Sequence, residues 1–252
     1  MDDDLLAGTR TAYDAVAESY ARMLPDTRYE AALDLAMVEH LLVRLGPGAQ
    51  LLDAGCGTGR MLTHLTALDP TLRLSGVDLS PGMVAVARRA HPSIDLAVAD
   101  LAALPHPDGE LDGVMAWYSI IHTPPSALAP LLGELHRVLR PGGLLLLGYQ
   151  AGTGHRVIDR PYGHDVELGA FLHHTPYVCD ALLRAGFTVD TVLDRGAREQ
   201  ERHPQGFVLA RRPYPAGRTG SAGQHALHHR LGVGAAHPVA EHPTPRRRRG
   251  GR

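Results

Sequence analysis

Residues 50–65 of the chain, "QLLDAGCGTGRMLTHL", place a short apolar run, three glycines at alternate positions and an amphipathic stretch in direct succession. The apolar run 50–55 reads as a buried strand, and 59–68 reads as a helix ended at Asp69-Pro70. Glycines between the two allow a sharp turn and let a ligand approach main-chain N–H groups with no Cβ in the way. A dinucleotide loop would carry a third glycine at position 60, to pack helix against strand, but Arg60 stands there. A phosphate loop ending in Gly-Lys-Ser/Thr is excluded more simply. All 25 Lys+Arg residues are arginine, which also removes lysine Schiff-base chemistry.

From this unit the chain alternates strands and amphipathic helices. Strands are expected at 72–79, 94–100, 111–119 and 144–149, and helices at 80–91 and 126–139. Ser80-Pro81 supplies a cap and a first-turn proline for the helix it opens. The run "LLLLGY" is apolar throughout, as in a parallel strand covered on both faces. After a Gly/His-rich connection over 150–174, a helix from Thr175 leads into strands at 187–195 and 206–212. Two N-terminal helices, 9–23 and 29–45, precede the unit. The pattern predicts an open, doubly wound α/β sheet whose last two strands form an antiparallel pair. Residues 213–252, rich in Gly, Pro, His and Arg and without periodicity, read as a disordered tail.

Composition narrows the function classes. The net charge of −2 gives no general attraction for nucleic acid. Cys56 and Cys179 are far apart and lack metal-ligand spacing, so neither a disulfide framework nor a structural zinc site is expected. No run approaches the length of a membrane span and the start "MDDD" is acidic, so a cytoplasmic location is expected.

Three acids fall at three successive strand ends. Asp53 precedes the glycines, where a carboxylate repels a pyrophosphate and attracts an ammonium group. Asp78 in "GVDLS" suits the two hydroxyls of a ribose. Asp100 in "VADLAALP" can accept from an exocyclic amine, while Leu79, Met83 and Leu101 can sandwich an adenine. Amine, diol and adenine without phosphate describe S-adenosylmethionine, with the main chain of Gly55, Cys56 and Gly57 turned toward it.

Over residues 10–212 the motifs "LLDAGCGTG", "GVDLS", "VADLAALPHPDGELDGVMAWYSIIH" and "LHRVLRPGGLLLL", in this order, resemble the class I S-adenosylmethionine-dependent methyltransferases of the small-molecule type common in bacteria. The resemblance implies a Rossmann-like seven-stranded sheet of order 3-2-1-4-5-7-6, last strand antiparallel. It also implies a domain over 1–212, with N-terminal helices 9–45 as a lid on a core of about 48–212. Tyr13 and Tyr20 lie where related enzymes fold a helix over the cofactor, although their spacing equally fits a core face. Trp117 and Tyr118 should alternate faces, one lining the pocket and the other supporting it. "HTPP" at 122–125 is not the [ND]PPY tetrad of nucleic-acid or protein amine methylases. His122 is the candidate base of that loop, with a structural role as its alternative. His155, His164, His173 and His174 have no strong ligand spacing, so no metal is expected. The expected function is methyl transfer to an O, N or C atom of a small molecule. A non-catalytic S-adenosylmethionine binder and a nucleic-acid methyltransferase are the alternatives.

Overall fold

Parallel pairing is organised around β1 (Gln50–Ala54), buried apart from Gln50, between β2 (Arg73–Asp78) and β4 (Leu111–Trp117). The computed structural model describes residues 3–215, so the expected tail lies, from residue 216, outside the described residues. β3 (Asp95–Val98) extends the sheet beyond β2, and β5 (Leu139–Gln150) extends it beyond β4, both in parallel. β9 (Gln205–Arg211) runs antiparallel between β5 and β8 (Thr188–Arg195). The resulting order is β3-β2-β1-β4-β5-β9-β8. Numbered within this sheet alone, it is the 3-2-1-4-5-7-6 order that the resemblance implies.

The apolar strands are explained by helices on both faces. In β5, Leu145 and Leu147 join α5 (Leu128–Val138) and α6 (Thr175–Arg184) through Leu132, Leu135, Val178 and Leu182. Their alternates Leu144 and Leu146 point the other way, to Met37, Val38 and Leu41 of α2 (Ala32–Leu45) and Met61 and Leu65 of α3 (Arg60–Leu68). This period of two gives each face its own core. It also corrects the placement of α2, whose apolar stripe packs on the sheet and belongs to the core. The N-terminal helix α1 (Asp3–Met23) packs Val16 and Ala17 against Met83 of α4 (Pro81–Ala90).

A second difference lies in 150–174, read from sequence as a connection. It contains an antiparallel hairpin, β6 (His155–Asp159) with β7 (Glu167–Phe171). Along β6 exposure alternates, with Arg156 and Ile158 half-buried and His155, Val157 and Asp159 exposed. Glycines and histidines masked this alternation in the sequence. The hairpin packs against α1 and against the 3-10 turn Ile120–His122.

Candidate active site at the carboxyl edge of the sheet

The glycine turn after β1 is held by β2. Gly55 and Cys56 N–H both donate to Val77 O, at 2.8 and 2.9 Å, and Gly57 N–H donates to Asp78 Oδ2 at 2.9 Å. Gly55 has φ +87°, and a Cβ there would lie 2.2 Å from Ser119 Cβ, so no other residue fits this crossing. Asp78 Oδ1 accepts from Ser80 N–H at 2.9 Å. The Ser80 side chain caps α4 by accepting from Met83 N–H at 3.0 Å, and its hydroxyl donates to Asp14 of α1 at 2.5 Å. Asp14 also accepts from Gly82 N–H at 2.8 Å, which places a negative charge on the first turn of α4. These bonds tie α1 to the rim beside Asp78.

Between α1, the turn and the ends of β1, β2 and β4 lies a cavity of about 370 Å³. Of the residues singled out from sequence, Tyr13, Gly55, Gly57, Asp78, Leu79, Met83, Asp100, Leu101, Trp117, Tyr118 and His122 border it. Tyr20 does so as well. Asp53 and Cys56 do not. The Cys56 thiol turns back into a cluster with Leu62, Val84 and Leu96, and burial raises its pKa. Trp117 and Tyr118 both border the cavity, against the expected alternation, because Tyr118 has φ +59° and breaks the pleat where β4 ends.

Asp53 sits beneath the turn, 1% exposed, and neither carboxylate oxygen has a hydrogen-bond partner. Burial raises its pKa to about 7; Arg60 opposes the shift and Asp78 adds to it. A buried carboxylate without a donor is a costly group, and a cationic ligand or bridging water at the turn would satisfy it. Burial also raises Asp78, while the N–H groups of Ser80 and Gly57 hold it down.

His122 has both ring nitrogens engaged. Nδ1 is 2.6 Å from Gly169 O of β7, and Nε2 is 2.7 Å from the Tyr13 hydroxyl. A carbonyl only accepts, so Nδ1 carries the proton and Nε2 accepts from Tyr13. Burial lowers the His122 pKa to about 4, against a raising contribution from Gly169. The candidate base is thus a neutral imidazole, turned toward a tyrosine of α1. Two of the other histidines make structural contacts, while His155 and His174 are exposed. His164 Nε2 meets Ser19 Oγ at 2.8 Å, and His173 Nε2 donates to Ile120 O at 3.1 Å.

The far half of the cavity was not legible in the sequence. The Arg60 guanidinium pairs with Glu30, which also accepts from Trp117 Nε1 at 3.4 Å. Asp34 forms a two-pronged pair with Arg195, at 2.5 and 2.6 Å, and Arg195 continues to Glu201. Glu30, Asp34, Arg60 and Glu201 all border the cavity, with Tyr162 packed edge-on to Tyr20 at 5.0 Å. Arg60, in the position that excludes a dinucleotide glycine, was the signal that could have pointed to a buried acid nearby.

Comparison with known proteins agrees with this geometry. Residues 51–143 match the family described as "Methyltransferase domain". The chain is 37% identical over 135 residues to the malonyl-[acyl-carrier protein] O-methyltransferase of Serratia marcescens, covering 52% of this chain and 51% of that one. It is 38% identical over 134 residues to the demethylmenaquinone methyltransferase of Symbiobacterium thermophilum, covering 50% and 49%. The alignments span about half the length of these relatives. A solved structure of Burkholderia thailandensis 1,6-didemethyltoxoflavin-N1-methyltransferase, with bound 1,6-didemethyltoxoflavin and S-adenosylhomocysteine, superposes with TM-score 0.65 at 20% identity, covering 84% of this chain and 91% of that one. The fold is the Rossmann-like methyltransferase fold. The matched family and the relatives named here are S-adenosylmethionine-dependent methyltransferases of class I, and residues 51–143 of the chain are similar to their methyltransferase domain.

Proposed function

We propose that the protein binds S-adenosylmethionine in this cavity and transfers its methyl group to an O, N or C atom of a small-molecule acceptor. The observation that carries the reading is the convergence of Asp78, Asp100 and the Gly55 turn on one cavity, above an unpartnered Asp53. The residues fit the group: Asp78 on the rim for a diol, apolar side chains for an adenine, and the buried Asp53 charge beneath the turn to favour an ammonium through a bridging water. S-adenosylmethionine, when bound, supplies a sulfonium-activated methyl group open to in-line displacement.

The chain's own part is to bind, orient and exclude water. Asp78, already fixed by two N–H donors, keeps lone pairs for ribose hydroxyls. Leu79, Met83 and Leu101 offer apolar walls. α1 closes the cavity through Tyr13, and His122 holds that hydroxyl in place. With both nitrogens engaged, His122 serves to orient Tyr13. Catalysis then relies on proximity and desolvation, and the acceptor atom must be nucleophilic without help from an imidazole base. Calorimetric titration of S-adenosylmethionine and S-adenosylhomocysteine tests the reading. Micromolar binding, about −8 kcal/mol, weakened by Asp78→Ala, is expected. No binding by the folded protein would refute it.

A further inference from the structure

The cations on the far side of the cavity have carboxylate partners: Arg60 with Glu30, Arg195 with Asp34 and Glu201, and Arg198 with Glu201. Arg156 differs. It lies on the half-buried face of β6, meets no carboxylate among the described residues, and its buried Nε has no partner. Its hydrogen bond runs from Nη2 to Gln150 Oε1, at 2.7 Å. A guanidinium only donates, so the Gln150 amide must turn its oxygen to Arg156, which leaves the NH2 group for the cavity that Gln150 borders. Gln150 therefore offers an amide donor to the cavity, with the Arg156 guanidinium behind it. Burial and the neighbouring charge of Arg202 both hold the Arg156 pKa below its ordinary value, the mark of a cation lacking its counterion.

We infer that Gln150 and Arg156 form an anion-binding subsite that takes a carboxylate or phosphate group of the acceptor, Gln150 touching it and Arg156 positioning the amide and supplying charge. This rests on reading the cavity as a methyl-transfer site. It also fits the engaged state of His122, since an ionised carboxylate is a nucleophile that needs no base.

The test is to titrate succinate, inorganic phosphate and uncharged succinamide into the full chain by calorimetry, for the wild type, Gln150→Glu and Arg156→Met. The wild type is expected to bind one of the two anions in the millimolar range and to ignore succinamide, and the preferred anion tells a carboxylate from a phosphate acceptor. Arg156→Met is expected to weaken that binding at least about tenfold. Gln150→Glu supplies Arg156 with its missing counterion, so it should raise the melting temperature while abolishing anion binding. S-adenosylhomocysteine, titrated into the same preparations, reports on the donor site separately. Anion binding without it would support the subsite and count against the methyltransferase reading. Equal anion binding by wild type and both variants, or none by the wild type up to about 20 mM, would overturn the subsite.

Discussion

The Tyr13 hydroxyl lies 2.7 Å from Nε2 of His122, joining the N-terminal helix to the turn after β4 across 109 positions of sequence. Burial favours the neutral imidazole, in which Nε2 accepts from the Tyr13 hydroxyl while Nδ1 donates to Gly169 O.

Acid should therefore loosen the protein through His122. Its folded pKa, about 4, lies below its ordinary 6.5, so between these values the unfolded chain binds the extra proton. Stability from this group is complete above pH 6.5 and falls as pH drops toward 4, by roughly 3 kcal/mol. Urea unfolding between pH 7.5 and 4.5 should show that component in the wild type and not in His122→Gln. Parallel pH slopes for the two proteins would contradict the assignment.

Asp53 acts in the opposite sense. Its folded pKa, about 7, lies above the ordinary 3.8, so the folded state binds the extra proton between them and stability falls as pH rises through this range. Asp53→Asn should stabilise the ligand-free protein at pH 8, by on the order of 3 kcal/mol, while weakening S-adenosylhomocysteine binding. The affinity of the wild type should rise with pH as the carboxylate ionises, and that of the variant should not. A stabilised variant with undiminished affinity would remove Asp53 from the binding role.

Gly55→Ala meets Ser119 Cβ at 2.2 Å and places a side chain at φ +87°. Strain and collision together should cost about 3 kcal/mol in urea unfolding and reduce ligand affinity more than tenfold. Gly48→Ala is the control, with φ +73° but no heavy atom within 4 Å, and should cost about 1 kcal/mol with affinity unchanged.

The pair Asp34–Arg195 is buried, with side chains 1% and 9% exposed. Asp34→Ala leaves the arginine short of a partner and should destabilise by about 3–5 kcal/mol. Combining it with Arg195→Met should cost less than the two single changes summed, in a double-mutant cycle read by urea unfolding. Additive costs would show that the ion pair contributes nothing of its own.

The sheet was legible because strand–turn–helix units repeat with local signals: apolar runs, glycines at turns, and Ser80-Pro81 at a helix start. The near rim followed from the same logic, since a parallel sheet brings its strand ends to one edge, and Asp78 and Asp100 are found there. What escaped depends on tertiary contact. Ser119 faces Gly55 across 64 positions, and nothing local to either marks the meeting. Glu30 and Asp34 read as ordinary acids at a helix start until Arg60 and Arg195 arrive from other elements. Tyr118 shows no sequence sign of its positive φ, so strand periodicity misplaced it. Cys56 was assigned to the site for its main chain, yet its N–H is spent on Val77 O.

The most direct test of the central claim is a crystal structure grown with S-adenosylhomocysteine. The account expects the ribose hydroxyls on the Asp78 carboxylate, the adenine between Leu79 and Leu101, and the amino group over the turn above Asp53. A ligand bound elsewhere, or in this cavity without touching Asp78, would contradict it.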